Sequence, residues 1–524
     1  MPAPASVFPP SISSRRRTIL WIGAGLLASA YVALAAFHVA YGTMNVDEGF
    51  YAAATRAVWH GEMPYRDFGF TQPPLVAYIN AAVLGLTRFG LFEQRVVNGV
   101  WGALAVLLAV RLVARRTGAG AAFTLAAIFT CTSGWLYFAH LGKTYGLTSL
   151  LVMGMTAVYV EMKPGGRKST LLSVLTVLGV ACRLPAAPFF GLLWLAALWD
   201  GGRLTWRRAG IALATLVVSA AVVLLPFLLA APEQTRFWIY DFHRISVPQK
   251  DWHVHWNDLI GLAPAVWLSA ILTVGFRVFS RPSWKQPELA VAAAALVALA
   301  ANLLPGGTYQ EYGVPFLLPL AAGSLILLEP SVARFPAGRR GFVTGALLAA
   351  SVALVPAIGW SKLTPEQRQF PSALLPVAVP PYDFSLAESI ATARATVQRF
   401  LPPGQPFVGP AIILAVEADR PIPRRFRMGA FTCTRDYNEA KADRLHLATF
   451  PGFAHQVGDA NVPIIGLHPE IKLDYAWSVP SFDFQPPETF VPVQAFILRA
   501  FTVVHSDRNF LIVARRPVPP APSR

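Results

Sequence analysis

Long apolar runs separated by short polar stretches fill the first 360 positions of the chain. Runs long enough to cross a bilayer as helices fall near residues 18–41, 94–112, 119–139, 144–162, 169–185, 186–200, 209–231, 258–279, 287–304, 314–330 and 341–360, with the division of 169–200 into two the least sharply marked. Two weaker patterns lie between the first and second runs. Residues 49–60 place Phe50, Tyr51, Ala54, Val58 and Trp59 against polar Arg56 and His60, the pattern of a helix lying along a membrane surface, and 73–90 reads as a second such helix. After residue 360 the long runs stop, prolines cluster and charges of both signs appear. "DFSLAESIATARATVQRFL" has helical period with Asp383 or Ser385 as its cap, while "PFVGPAII", "FILRAFTVV" and "NFLIVAR" read as strands. The pattern predicts a polytopic α-helical membrane protein of about eleven transmembrane helices followed by a small C-terminal α+β domain. Its expected parts are a disordered tail over 1–17, a transmembrane region over 18–360 with a first outer loop over 42–93, and a separate domain over 361–524.

Composition agrees with that class. The chain is 54% hydrophobic and 14% charged with a mean hydropathy of +0.47, which excludes a soluble protein of 524 residues. A net charge of +16 would suit a nucleic-acid binder, but the cations recur as small groups between apolar runs. With the N-terminus placed in the cytoplasm, every inner loop receives three: Arg15/Arg16/Arg17, Arg111/Arg115/Arg116, Lys163/Arg167/Lys168, Arg203/Arg207/Arg208, Arg277/Arg281/Lys285 and Arg334/Arg339/Arg340. The same alternation puts the loop at 42–93 and the C-terminal domain outside. The first run has no small-residue cleavage site at its end and reads as a retained helix. Cys131, Cys182 and Cys433 lie far apart, which leaves neither a disulfide framework nor a cysteine metal site.

Ionisable groups concentrate at the outer boundary: Asp47, Glu48, Glu62, Arg66 and Asp67 in the first loop, Lys143 in the second, Arg183 near the third, and "PGGTYQEYGVP" late in the chain. Ionisable groups near hydrocarbon are costly, which makes them functional candidates. Asp47 and Glu48 also stand where a helix cap and a first-turn acid would stand. Lys143 suits a phosphate contact or an ammonium reaching the interface, and Arg66 with Asp67 suits a pair that folds its own loop as well as a substrate contact. His253 and His255 read as surface residues rather than metal ligands.

The segments "DEGFY", "PYRDFGFTQPPL", the Lys-Thr-Tyr opening a helix, "GVACRLP" and "YQEYGVPFLLPL" together resemble the integral-membrane glycosyltransferases of the GT-C fold. More narrowly they are similar to the bacterial relatives of protein O-mannosyltransferases and of the lipid A aminoarabinose transferase, over roughly residues 18–330. The resemblance implies a multi-pass protein of the bacterial inner membrane that takes a sugar from a polyprenyl phosphate and passes it to a lipid, glycan or protein acceptor on the outer face. Asp47 matches the catalytic aspartate and Glu48 the second acid. Arg66, Asp67, Gln72, Lys143 and Arg183 are expected substrate contacts, as are Tyr309, Glu311 and Tyr312, which resemble a motif near the donor phosphate. Phosphate is a good leaving group without a general acid, so one carboxylate base suffices for inversion at the anomeric carbon. The aminoarabinose transferases carry an Arg after the acidic pair and Glu-Lys before the double proline, where this chain has Phe50, Thr71 and Gln72. That Glu is their metal ligand, so no metal is assigned here, and aminoarabinose specificity is not carried over. A secondary transporter, or a non-catalytic glycan-binding relative, is the alternative, but the two halves of the chain show no internal repeat.

Overall fold

The computed structural model describes residues 14–199, 204–245, 260–261, 263–280, 286–303, 310–332, 383–434, 437–459, 462–467, 496–497 and 499–516. The segment at 341–360, Tyr309 and the histidines at 253 and 255 lie outside these residues. Each of the other ten apolar runs is helical. They form α1 (Ser14–Tyr41), then, after two first-loop helices α2 (Glu48–Trp59) and α3 (Leu75–Leu84), α4 (Leu91–Arg116), α5 (Ala119–Cys131), α6 (Ser133–His140), α7 (Tyr145–Glu161), α8 (Gly166–Cys182), α9 (Ala187–Leu198), α10 (Trp206–Ala230), α11 (Pro264–Ser280), α12 (Pro287–Leu303) and α13 (Val314–Val332). Among the described residues four helices are individually long and apolar enough to cross a membrane, at Ile22–Tyr41, Leu91–Arg116, Trp206–Ala230 and Glu311–Leu328. The run at 119–139 is not one straight crossing, because the helix breaks at Thr132, whose backbone turns to φ −89°, ψ 91°. The chain is a multi-pass membrane protein.

The helices sort by what surrounds them. Helix α10 exposes Leu213, Val217, Val218, Val222 and Leu229, and such an apolar outer face is matched to lipid rather than water. Helix α13 is almost wholly covered, packing against α7, α11 and α12. Helices α4 and α7 pack along one another. A Cβ on Gly146 would stand 2.2 Å from the Asn98 carbonyl oxygen, so glycine is what lets these backbones approach, and on the same helix α4 a Cβ on Gly99 would stand 2.3 Å from the ring of His140 at the end of α6. At the far ends of α4 and α7, Arg111 and Arg115 meet Glu161, while Arg116 pairs with Glu288 at the start of α12.

The first loop departs from the expected pair of surface helices. Helix α2 is apolar nearly all round, with Phe50, Tyr51, Ala52, Ala53, Ala54 and Ala57 buried, and a helix of that kind needs cover on every side. The cover comes from the C-terminal region. A Cβ on Gly49 would lie 3.1 Å from the Ile413 amide nitrogen, which places the turn Ile413–Glu417 directly against α2. That turn and its approach replace the strand expected at "PFVGPAII".

The expected helix after residue 383 is α14 (Leu386–Phe400), with Ser385 at its N-cap and Asp383 Oδ1 accepting from the Ser385 amide at 3.0 Å. Beyond it are β1 (Cys433–Thr434) and β2 (Ala448–Thr449), which pair in parallel, and β3 (Ile464–Leu467), β4 (Phe501–Ser506) and β5 (Leu511–Arg515), which form an antiparallel sheet in the order β3-β5-β4. Phe50, Phe68, Phe70 and Leu91 share one apolar core with Ile412, Phe426, Phe453 and Ile465.

Candidate active site

The acidic pair separates into two environments. Glu48 is buried and bound on all sides: Arg95 donates Nε to Oε1 at 2.8 Å and Nη2 to Oε2 at 2.7 Å, while the Gly142 amide donates to Oε1 at 2.9 Å and the Asn45 amide to Oε2 at 3.0 Å. Arg95 spends its remaining donors on the carbonyls of Val39, Gly42 and Thr43. The side chains of Glu48 and Arg95 are each 1% exposed. This corrects Glu48 as a substrate contact, since every lone pair that would meet a ligand is committed to fixing the end of α1, the start of α2 and the α6–α7 turn. Arg95 escaped notice in the sequence although it is a cation inside an apolar run, the signal that should have raised it.

Asp47 faces the other way. It occupies the N-cap position of α2, yet its side chain accepts no capping hydrogen bond. It is 24% exposed, and its Oδ2 lies 2.7 Å from Lys143 Nζ. Lys143, buried at 4% exposure, also donates to Glu311 Oε1 at 3.0 Å, and Tyr145 Oη donates to the same oxygen at 2.9 Å. Burial alone would lower the Lys143 pKa, but the Asp47 and Glu311 carboxylates together hold it well above its ordinary value.

Arg183 completes the cluster. It follows α8 in extended backbone at φ −154°, ψ 111°, with Pro185 two residues later preventing the helix from continuing. Its guanidinium stacks between the rings of Tyr145 and Tyr312, at 4.5 and 4.4 Å, and donates Nη1 to Thr144 Oγ1 at 2.8 Å. Arg183 has no carboxylate partner among the described residues, and its Nε is buried without a hydrogen bond. A desolvated cation with an unspent donor is an anion site in waiting.

The remaining expected contacts serve the loop. Arg66 and Asp67 pair with each other at 2.7 and 2.9 Å at the surface, and Asp67 Oδ2 accepts from the Met63 amide at 2.7 Å. Arg66 lowers the Asp67 pKa. These bonds tie the loop to itself. Gln72 offers its backbone carbonyl to Tyr65 Oη at 2.5 Å, and Tyr65 itself holds a left-handed backbone at φ 69°. Among the described residues no group of three or more His, Cys, Asp or Glu is placed to hold a metal.

No family model matches the sequence, and no curated protein matches it by sequence comparison. The structure is similar to that of ArnT from Cupriavidus metallidurans bound to undecaprenyl phosphate, with TM-score 0.63 and 15% identity over 98% of this chain and 100% of that one. It is similar also to the same protein in the apo state, with TM-score 0.62 and 16% identity over 95% and 98% of the two chains. At such identity the likeness speaks to the fold. The chain has the GT-C fold of the membrane glycosyltransferases.

Proposed function

We propose that the protein is a membrane glycosyltransferase that moves a sugar from a polyprenyl phosphate to a lipid, glycan or protein acceptor. The observation that carries this reading is the buried Arg183, held between Tyr145 and Tyr312 without a carboxylate of its own, in the same cluster as a part-exposed aspartate. A cation for the donor phosphate and a base for the acceptor are thereby supplied in one cluster. A neighbour of the same fold bound to undecaprenyl phosphate supports a lipid phosphate as the anion.

In this reading the donor phosphate lies against Arg183 and Lys143, whose positive charges stabilise the phosphate as it leaves. The acceptor hydroxyl attacks the anomeric carbon from the face opposite the phosphate and gives its proton to Asp47. The bond from anomeric carbon to phosphate oxygen breaks as the new glycosidic bond forms, so configuration inverts and the phosphate departs with the bonding pair. Glu311 and Tyr145 hold Lys143 and Arg183 in place, and Glu48 with Arg95 fixes the backbone that carries Asp47. The acids sit at the bundle's edge because the donor is confined to the membrane while the acceptor arrives from water. The face is proposed to be the outer one of a bacterial inner membrane, with the C-terminal region covering it.

The test is sugar transfer in proteoliposomes supplied with a panel of polyprenyl-phosphate sugars. Turnover of one donor, with Arg183→Met abolishing its binding, is the expected result; no turnover and no binding of any donor would move the weight to a transporter.

A further inference from the structure

A second polar cleft, of about 520 Å³, opens where the middle of α2, the turn after α3 and helix α14 meet. Arg56, Arg88, Arg394, Phe89, Glu417 and Asp419 line it. Two of the guanidiniums are already engaged. Arg88 donates Nη2 to Glu417 Oε2 at 2.5 Å, and Arg56 donates to the carbonyls of Ala415 and Arg420 with Asp419 Oδ1 3.5 Å away. Arg394, half-buried on α14, has no hydrogen bond or ion pair among the described residues. Asp419 is 95% exposed and sits in left-handed backbone at φ 53°, an uncommon conformation for a residue other than glycine.

These groups select among ligands. A free guanidinium takes a carboxylate or phosphate through two parallel hydrogen bonds. The exposed Asp419 carboxylate would repel a simple anion, but it accepts hydrogen bonds from hydroxyls, and Phe89 adds an apolar ring to the same lining. One anionic group, several hydroxyls and an apolar ring face belong together on an acidic sugar. We infer that this cleft is a subsite for a saccharide bearing one anionic group, with Arg394 as the group that reads the charge. Arg56 follows Asp47 by nine residues on α2, which is ~13 Å along the axis and half a turn around it. The cleft is therefore separate from the base, and its occupant is assigned as a part of the acceptor remote from the reacting hydroxyl only on the strength of the glycosyl-transfer reading.

The test is calorimetric titration of the full-length protein in nanodiscs, without donor, using three tetrasaccharides of one backbone: glucuronate-terminated, 6-phosphorylated and neutral. One or both anionic forms should bind at least about tenfold more tightly than the neutral one, the two arms separating carboxylate from phosphate. Arg394→Gln, folded as judged by an unchanged melting temperature, should weaken that binding roughly tenfold, and Arg394→Lys, which keeps the charge but not the paired donors, should recover only part of the loss. Equal affinity for the neutral form, unchanged affinity in Arg394→Gln, or no binding of either anionic form overturns the inference. The assay involves no turnover, so binding without sugar transfer would leave the cleft standing and remove the transfer reading, and transfer without binding would do the reverse.

Discussion

Lys143 and Arg95 are both buried cations in contact with the acidic pair, and they do different work. Arg95 is spent entirely on Glu48 and three carbonyls, so removing it leaves an uncompensated buried carboxylate. Arg95→Met should cost about 3–5 kcal/mol of stability, visible as a large drop in the melting temperature of detergent-solubilised protein. Replacing Glu48 by Gln should also be costly, because whichever carboxylate oxygen becomes an amide NH2 meets two N–H donors and the buried Arg95 loses its counter-charge. Arg183 holds its stack by planarity as well as charge. Arg183→Lys keeps the charge but loses the second face and the fork of donors, and should raise the donor's KM roughly tenfold while the protein folds normally. A KM unchanged within error would separate Arg183 from the donor phosphate.

At the scale of elements, the seam between the first loop and the C-terminal region is built from unlike parts. Glu417 receives the Leu91 amide at 2.8 Å and so serves as a cap for α4 supplied from far along the chain. Arg427 pairs with Glu62 and lies over the Phe68 ring. Trp238 donates to the Leu445 carbonyl at 2.9 Å. His446 and His243 each place Nε2 on a first-loop carbonyl, of Tyr65 at 2.8 Å and of Thr71 at 2.6 Å. Burial lowers the pKa of both histidines from the ordinary 6.5. A histidine whose folded pKa lies below its unfolded one gives full stability above pH 6.5, and loses it as pH falls below that value, because the unfolded form takes up the proton first. Amide exchange in residues 62–72 should therefore quicken between pH 7 and pH 5 more than in α7, and His446→Gln should remove part of that difference. Equal quickening in both places would contradict a histidine-held seam.

Across the whole molecule, what the sequence disclosed follows the range of the forces involved. The apolar runs were legible as helices because each satisfies its backbone through its own run of residues, and among the described residues four of them are individually long and apolar enough to cross. Helix α2 was misjudged because its amphipathic look at Arg56 and His60 concealed that cover would come from residues some 360 positions later. The turn at Ile413–Glu417 is likewise packed against a partner distant in sequence, helix α2. Asp47, Lys143, Arg183 and Glu311 were each visible as ionisable residues at a membrane boundary, yet nothing in the sequence joined Lys143 to both acids. Asp47 and Glu48 were read as a base and a second acid, and the position of Arg95, invisible as a partner in the sequence, is what ties Glu48 into the framework while Asp47 pairs with Lys143.

The claim on which the rest depends is that Asp47 takes the acceptor's proton. Wild type and Asp47→Asn, at equal expression in proteoliposomes, are to be compared for donor binding and for transfer of its sugar. The account predicts binding within about twofold and transfer lower by roughly 10²-fold or more, the usual contribution of a positioned base. Transfer at the wild-type rate in Asp47→Asn would contradict it.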